Sequence, residues 1–193
     1  MSKLFFDFEF TGLKKYTSQI SLGIVSDNGR SFYGEFTDYS DVQISFENDN
    51  GKFIKENVLN NLILEKMGFK ENQAESYKLY NKPWSMKVYG NKNFIKEQLQ
   101  IWLSSFDDEI EMWGDCLAYD WVLFCDIFGH AFNIPKNVYY IPFDICTLFK
   151  VKGIDPDISR EEFVKDMISK DTNKHNSLYD AAVIKCCYKK LTE

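Results

Sequence analysis

Two acidic side chains, Asp7 and Glu9, stand two residues apart in the otherwise apolar run Leu4-Phe5-Phe6-Asp7-Phe8-Glu9-Phe10. Strand side chains alternate between faces, so this pattern sends Asp7 and Glu9 one way and Phe6, Phe8 and Phe10 the other. Adjacent carboxylates repel unless a positive charge sits between them, and a divalent cation is the usual solution. The run stops at Thr11-Gly12, which puts the pair near the mouth of a turn. The competing interpretation is a half-buried strand whose acids simply face water.

A phosphodiester-cleaving site with two cations about 3.5–4 Å apart needs about four carboxylates. Asp120 is a third candidate, at a helix start within Trp113-Gly114-Asp115-Cys116-Leu117-Ala118-Tyr119-Asp120. Helix starts favour carboxylates because their free amides and dipole are positive, so capping is its alternative role. Asp115 competes with it as a ligand or loop residue. Asp180 is the fourth, in His175-Asn176-Ser177-Leu178-Tyr179-Asp180. Five residues on a helix turn through about 500°, so His175 and Asp180 converge only if His175 lies in the loop before the helix. Asn176 or Ser177 would then cap that helix, although Ser177-x-x-Asp180 also reads as a capping box. A histidine there can take a proton from water near neutral pH. The other histidine, His130, follows Gly129 and reads as a loop residue.

The elements that must position these groups follow from periodicity. Strands are expected at 3–10, 17–26 and 30–37, the last two joined by Asp27-Asn28-Gly29, a hairpin signal. Apolar spacing predicts helices over 52–66 and 91–106, with residues 70–90 a loop or short helix around Pro83-Trp84. A strand at 109–113, a helix over 119–128 ended by Gly129, and a strand at 138–141 come next, then a helix through Thr147 to about 151. Ser159-Arg160-Glu161-Glu162 is a capping box opening a short helix, and a last helix covers 177–191. A meander followed by alternating strands and helices indicates an α/β mixed sheet flanked by helices, and the 193 residues read as a single domain, 1–193.

Hydrophobic residues at 45% and aromatics at 17% place the chain among globular proteins. No apolar run approaches the roughly 20 residues that span a bilayer, and the N-terminus does not read as a signal peptide. Five cysteines (116, 125, 146, 186, 187) lack zinc-site spacing and read as reduced, mostly buried residues of a cytoplasmic protein. A net charge of −6 argues against a tight non-specific nucleic-acid binder, but leaves open an enzyme that meets a strand end through metal ions.

The order Asp7-x-Glu9-x-Thr11-Gly12-Leu13, then Ala118-Tyr119-Asp120, then His175-x4-Asp180 resembles the three motifs of the DEDD superfamily of 3′–5′ exonucleases in its histidine form. Within it the chain is most similar to the polyadenylate-specific 3′-exoribonuclease AS type, over nearly its whole length. The resemblance implies an RNase H-like fold and two Mg²⁺ or Mn²⁺ ions held by Asp7, Glu9, Asp120 and Asp180. It also implies His175 as general base, and Thr11, Gly12 and Leu13 bordering the 3′-terminal nucleotide. The product would be 5′-mononucleotides released from RNA 3′ ends, and a homodimer is compatible with the family. Where many members carry His-Asn before the second motif, this chain has Asp115-Cys116.

Three rivals remain at this stage. A 3′–5′ exodeoxyribonuclease acting on single-stranded DNA differs through the 2′-OH contact, which composition cannot reveal. A non-catalytic nucleic-acid-binding module on the same fold does not need all five polar groups. An RNase H-type endonuclease is disfavoured by the Asp-x-Glu pair and the late His-x4-Asp. Trp121 and Trp84 could stack bases, though core packing suits either better.

Overall fold

The computed structural model describes residues 1–39, 49–80, 82–168 and 174–193. Strand β1 (Ser2–Phe10) forms an antiparallel meander with β2 (Gln19–Ser26) and β3 (Ser31–Phe36), as the hairpin signal predicts. Strands β4 (Gln73–Leu79) and β5 (Lys82–Gly90) form a hairpin that joins β3 on one side. Strands β6 (Ile110–Gly114) and β7 (Phe143–Asp144) extend β1 on the other, both parallel to it. The sheet order is β4-β5-β3-β2-β1-β6-β7. Its five strands β3-β2-β1-β6-β7, with only β2 reversed, make the RNase H-like core expected of this α/β chain.

Helices cover both faces. Leu4, Phe6 and Phe8 of β1 pack with Leu22, Ile24, Phe32 and Val88 against α2 (Lys92–Ser104) and α3 (Asp120–Ile127). Phe5, on the opposite face, packs against α4 (Ile145–Val151) and α6 (Ser177–Thr192). Asp7 and Glu9 share that second face with Phe5, as strand alternation demands. The short helix α5 (Arg160–Phe163) begins where expected, with the Ser159 hydroxyl accepting from the Glu162 N–H.

Several expectations are corrected. Within 70–90, the described residues 73–79 and 82–90 are strands, not a loop or short helix. β4 is almost wholly exposed and so carries no apolar alternation to read, and Pro83 disguises the start of β5. The helix expected over 52–66 is instead a short helix α1 (Asp49–Phe53), a π-helical turn (Ile54–Val58) and a 3₁₀ turn (Leu59–Asn61). Asn57, Asn60 and Asn61 each donate a side-chain amide to the carbonyl four residues back, which competes with regular helix geometry. The strand expected at 138–141 reduces to one bridge from Val138 to Ile110, and β7 lies at 143–144. The cysteines are less buried than composition suggested: Cys125 and Cys187 are buried, while Cys116 is exposed. Among the described residues, no helix is long and apolar enough to cross a membrane.

One contact sets how close α6 comes to the sheet. Gly23 of β2 lies opposite Asp7 in the register. A Cβ there would fall 2.2 Å from the backbone of Ser177 and Leu178, closer than real atoms approach. Beside it, the hydroxyls of Ser21 and Ser177 hydrogen-bond at 2.9 Å. Gly23→Ala is therefore expected to push the start of α6 off β2 and to cost about 3 kcal/mol, checked by urea unfolding. Activity should fall with it, because Asp180 rides on the displaced turn.

Candidate active site

Asp7, Phe8, Glu9 and Phe10 of β1 line an open cleft of about 440 Å³, together with Asp120 of α3 and Asp180 of α6. Asp115, the segment Ile158–Glu161, Lys174 and His175 complete its wall. All five residues expected to do chemistry thus meet in one place.

Each is positioned by a nameable contact. β6 pairs with Ser2 to Phe5 of β1 and then ends, so β1 runs on beyond its neighbour. Phe8 donates its N–H across that gap to Asp120 Oδ1 at 2.9 Å, fixing the third acid between the first two. Asp120 is therefore not the cap of α3; it is the first helical residue, and Tyr119 holds the cap position. Asn176, rather than Ser177, caps α6, accepting from the Tyr179 N–H. Ser177 is engaged with Ser21, so the capping-box interpretation of Ser177-x-x-Asp180 does not hold. His175 sits in the loop before the helix with φ of +63°, and its N–H donates to the Asp180 carboxylate. A positive φ is strained for a non-glycine residue, and this hydrogen bond compensates it. The His175 ring packs edge-on against Phe53 at 5.0 Å, and its Nδ1 lies 3.9 Å from Glu9 Oε1.

A buried polar relay holds this loop from below. Glu35, only 1% exposed, accepts hydrogen bonds from the Tyr33 hydroxyl and from the Ile63 and Leu64 N–H groups. The Asn176 side-chain amide donates in turn to the Tyr33 oxygen, and Asn61 donates to the Lys174 carbonyl. The satisfied carboxylate thereby ties the turn at 62–64 to the residues on both sides of His175.

The electrostatics reflect crowding. Burial, then the neighbouring carboxylates, raises Asp7 well above the usual carboxylate range. Glu9 is pushed up to about 8 by burial, then by Asp180 and Asp120. Asp120 and Asp180 are each pushed up to about 7, chiefly by burial. His175 is lowered by burial and by Lys174, which favours the neutral, proton-accepting imidazole. Four carboxylates, Asp120 buried and the others half-buried, that resist ionising together fit a hard divalent cation, whose ligands are oxygens. Donor atoms of Glu9, His175 and Asp180 lie within 4.8 Å of one another, a spacing a single cation could bridge.

Sequence reasoning missed the opposite wall. Arg160 makes a two-pronged contact with Asp115, Nε to Oδ2 at 2.8 Å and Nη2 to Oδ1 at 3.0 Å, while its guanidinium lies over Phe149. Asp115 is thus committed to Arg160 rather than to the acid cluster. The Cys146 thiol also donates to Asp115, and Cys116 Sγ lies 3.5 Å from Cys146 Sγ. Lys174 pairs with Glu161 at 3.0 Å across the cleft mouth. The capping box at Ser159 signalled this helix, but nothing local signalled that it faces the acids.

Thr11 is buried, its hydroxyl accepting from the Ser18 N–H; Gly12 has a φ of +145°, and Leu13 projects into solvent. Trp121 packs on Phe6 and Phe124, as a core residue should, and Trp84 lies by Arg30 and Tyr80, away from the cleft. His130 caps the 3₁₀ turn Ala131–Asn133.

An RNase H-like sheet with acids gathered from β1, α3 and α6 around one cleft is the plan of a metal-dependent nuclease. The chain belongs to the Rv2179c-like 3′–5′ exoribonuclease domain family, whose pattern it matches over residues 2–191. Domains of this family are 3′–5′ exoribonucleases, a class of hydrolase. Comparison with curated proteins finds no match. Among solved structures, the Neurospora crassa Pan2 catalytic unit (protease and nuclease domain) is similar, with 17% identity and a TM-score of 0.44. That alignment covers 98% of this chain and 26% of the other, so the chain spans about a quarter of that length.

The raised carboxylates make metal-free stability depend on pH. Their folded-state pKa values exceed the unfolded ones, so the native state binds more protons and loses stability as pH rises through about 7 to 8. In EDTA, the unfolding temperature should fall steadily from pH 5.5 to 8.5, with a loss on the order of a few kcal/mol. Adding Mn²⁺ should abolish most of that fall, and Asp7→Asn should raise the metal-free unfolding temperature at pH 8. Differential scanning fluorimetry checks all three.

Proposed function

We propose that residues 1–193 act as one exonuclease domain that removes 5′-mononucleotides from RNA 3′ ends with two divalent cations, Mg²⁺ or Mn²⁺. What supports this is the convergence of four carboxylates and a neutral histidine on one cleft. Asp7, Glu9, Asp120 and Asp180 would hold the ions. When bound, the cations supply charge neutralisation at the phosphate and make the attacking water more acidic. His175, kept unprotonated by burial and Lys174, takes the proton from that water at a ring nitrogen. The Asp180 contact to the His175 backbone and the Phe53 ring keep the imidazole turned toward the acids. Thr11, Gly12 and Leu13 border the terminal nucleotide, with Leu13 as the exposed member. The five free cysteines suit a reducing compartment such as a cytoplasm.

The test uses 5′-labelled RNA and DNA oligonucleotides of one sequence with Mg²⁺ or Mn²⁺. RNA should yield a ladder shortening from the 3′ end, faster than DNA, abolished by EDTA and by Asp7→Ala. His175→Ala should lower kcat by roughly a hundredfold or more with little change in KM, as expected for loss of a general base. Internal cuts, or activity surviving Asp7→Ala, would overturn the assignment.

A further inference from the structure

A second concavity, of about 510 Å³, lies beside the catalytic cleft, between the loop that follows β1 and the start of α3. Lys14, Lys15 and Tyr16 line one side, and Tyr119 and Val122 the other. Tyr16 is 72% exposed and Val122 62%, large surfaces to leave in water beside an active site. We propose that this groove is an RNA subsite, holding nucleotides upstream of the one being hydrolysed by base stacking and phosphate contact. The proposal rests on the exoribonuclease reading and adds a place for the rest of the strand.

Three observations carry it. The groove adjoins the cleft, because Phe10, which lines the cleft, stacks on Tyr119, which lines the groove, at 5.5 Å and 21°. Its charge is opposite to that of the molecule. The chain carries −6, yet the loop presents two consecutive lysines, and Lys15 Nζ lies 5.0 Å from the Tyr16 ring. Asp126, an acid in the same wall, is already paired with Lys92 at 2.7 Å and accepts from Gln19, so it offers little repulsion to a phosphate. Finally, the loop is held at its base rather than loose. Thr11 N–H donates to the Ser18 carbonyl, Ser18 N–H to the Thr11 hydroxyl, and that hydroxyl meets Thr17 at 3.2 Å. Aromatic rings beside lysines, on a pinned loop next to an acidic catalytic cleft, match the alternating base and phosphate of a single strand. A mixed surface of this kind also explains how an acidic protein keeps hold of a polyanion without broad positive charge.

The test compares a 5′-labelled RNA octamer with a dinucleotide too short to reach the groove. Wild type should prefer the octamer in kcat/KM, and Tyr16→Ala and Lys14→Ala/Lys15→Ala should each cut that preference on the order of tenfold, through KM. Lys70→Ala/Lys78→Ala, which removes the same charge from exposed positions at β4, should keep it. A 4-thiouridine placed three nucleotides from the 3′ end should photocrosslink to residues 14–17, Tyr119 or Val122. Preference retained in the groove variants, equal loss in the β4 control, or crosslinks elsewhere would overturn the subsite while leaving the exonuclease intact. A dimer in gel filtration that Tyr16→Ala dissociates would assign the groove to a second copy instead. Failure of wild type to shorten either RNA would overturn the exoribonuclease reading, and the subsite with it.

Discussion

Like charges held close together away from water are the constraint around which this domain is built. Asp7, Glu9, Asp120 and Asp180 share one cleft, and burial, then the neighbouring carboxylates, makes each reluctant to ionise. Backbone N–H groups of Phe8 and His175 relieve Asp120 and Asp180 in part, and apolar packing and hydrogen bonding elsewhere must outweigh the remainder. The return is a site prepared for cations, since the same repulsion that opposes folding is relieved when positive charge enters. Stability and metal affinity are thus two readings of one electrostatic fact.

The packing that holds the acids in place comes from both faces of β1. On one, Leu4, Phe6 and Phe8 are gripped by α2 and α3, which carries Asp120. On the other, α6 reaches the sheet through the opening at Gly23 and the hydroxyl contact of Ser21 with Ser177, which brings Asp180 in. The Glu35–Tyr33–Asn176 relay then fixes the loop at the foot of α6, where His175 adopts its unusual backbone. The candidate site is spread over four segments distant in sequence, and each is tied to the core by at least one buried polar or steric contact.

Much of this was legible in the chain. Alternation assigned Asp7 and Glu9 to one face of β1, and the angle between positions 175 and 180 required His175 to precede its helix. The meander was readable because Asn28-Gly29 marks its turn. What escaped was information not carried locally. β4 takes its conformation from pairing with β5 and leaves no apolar rhythm, and the asparagines of 57–61 break a helix through side-chain bonds that periodicity ignores. The wall formed by Asp115, Arg160 and Glu161 depends on how α5 folds back over the sheet. No spacing in the sequence reports that, since residues 115 and 160 meet only in three dimensions.

The hydrogen bond from Phe8 to Asp120 has a consequence beyond catalysis. Because β6 stops while β1 continues, the end of β1 is paired with β2 on one side and has no strand on the β6 side, a margin of the kind that invites pairing with another molecule. There the Asp120 carboxylate accepts from the buried Phe8 N–H, a donor that an added strand would otherwise use. One carboxylate therefore both lines the cleft and closes the margin of the sheet at the point where β6 ends.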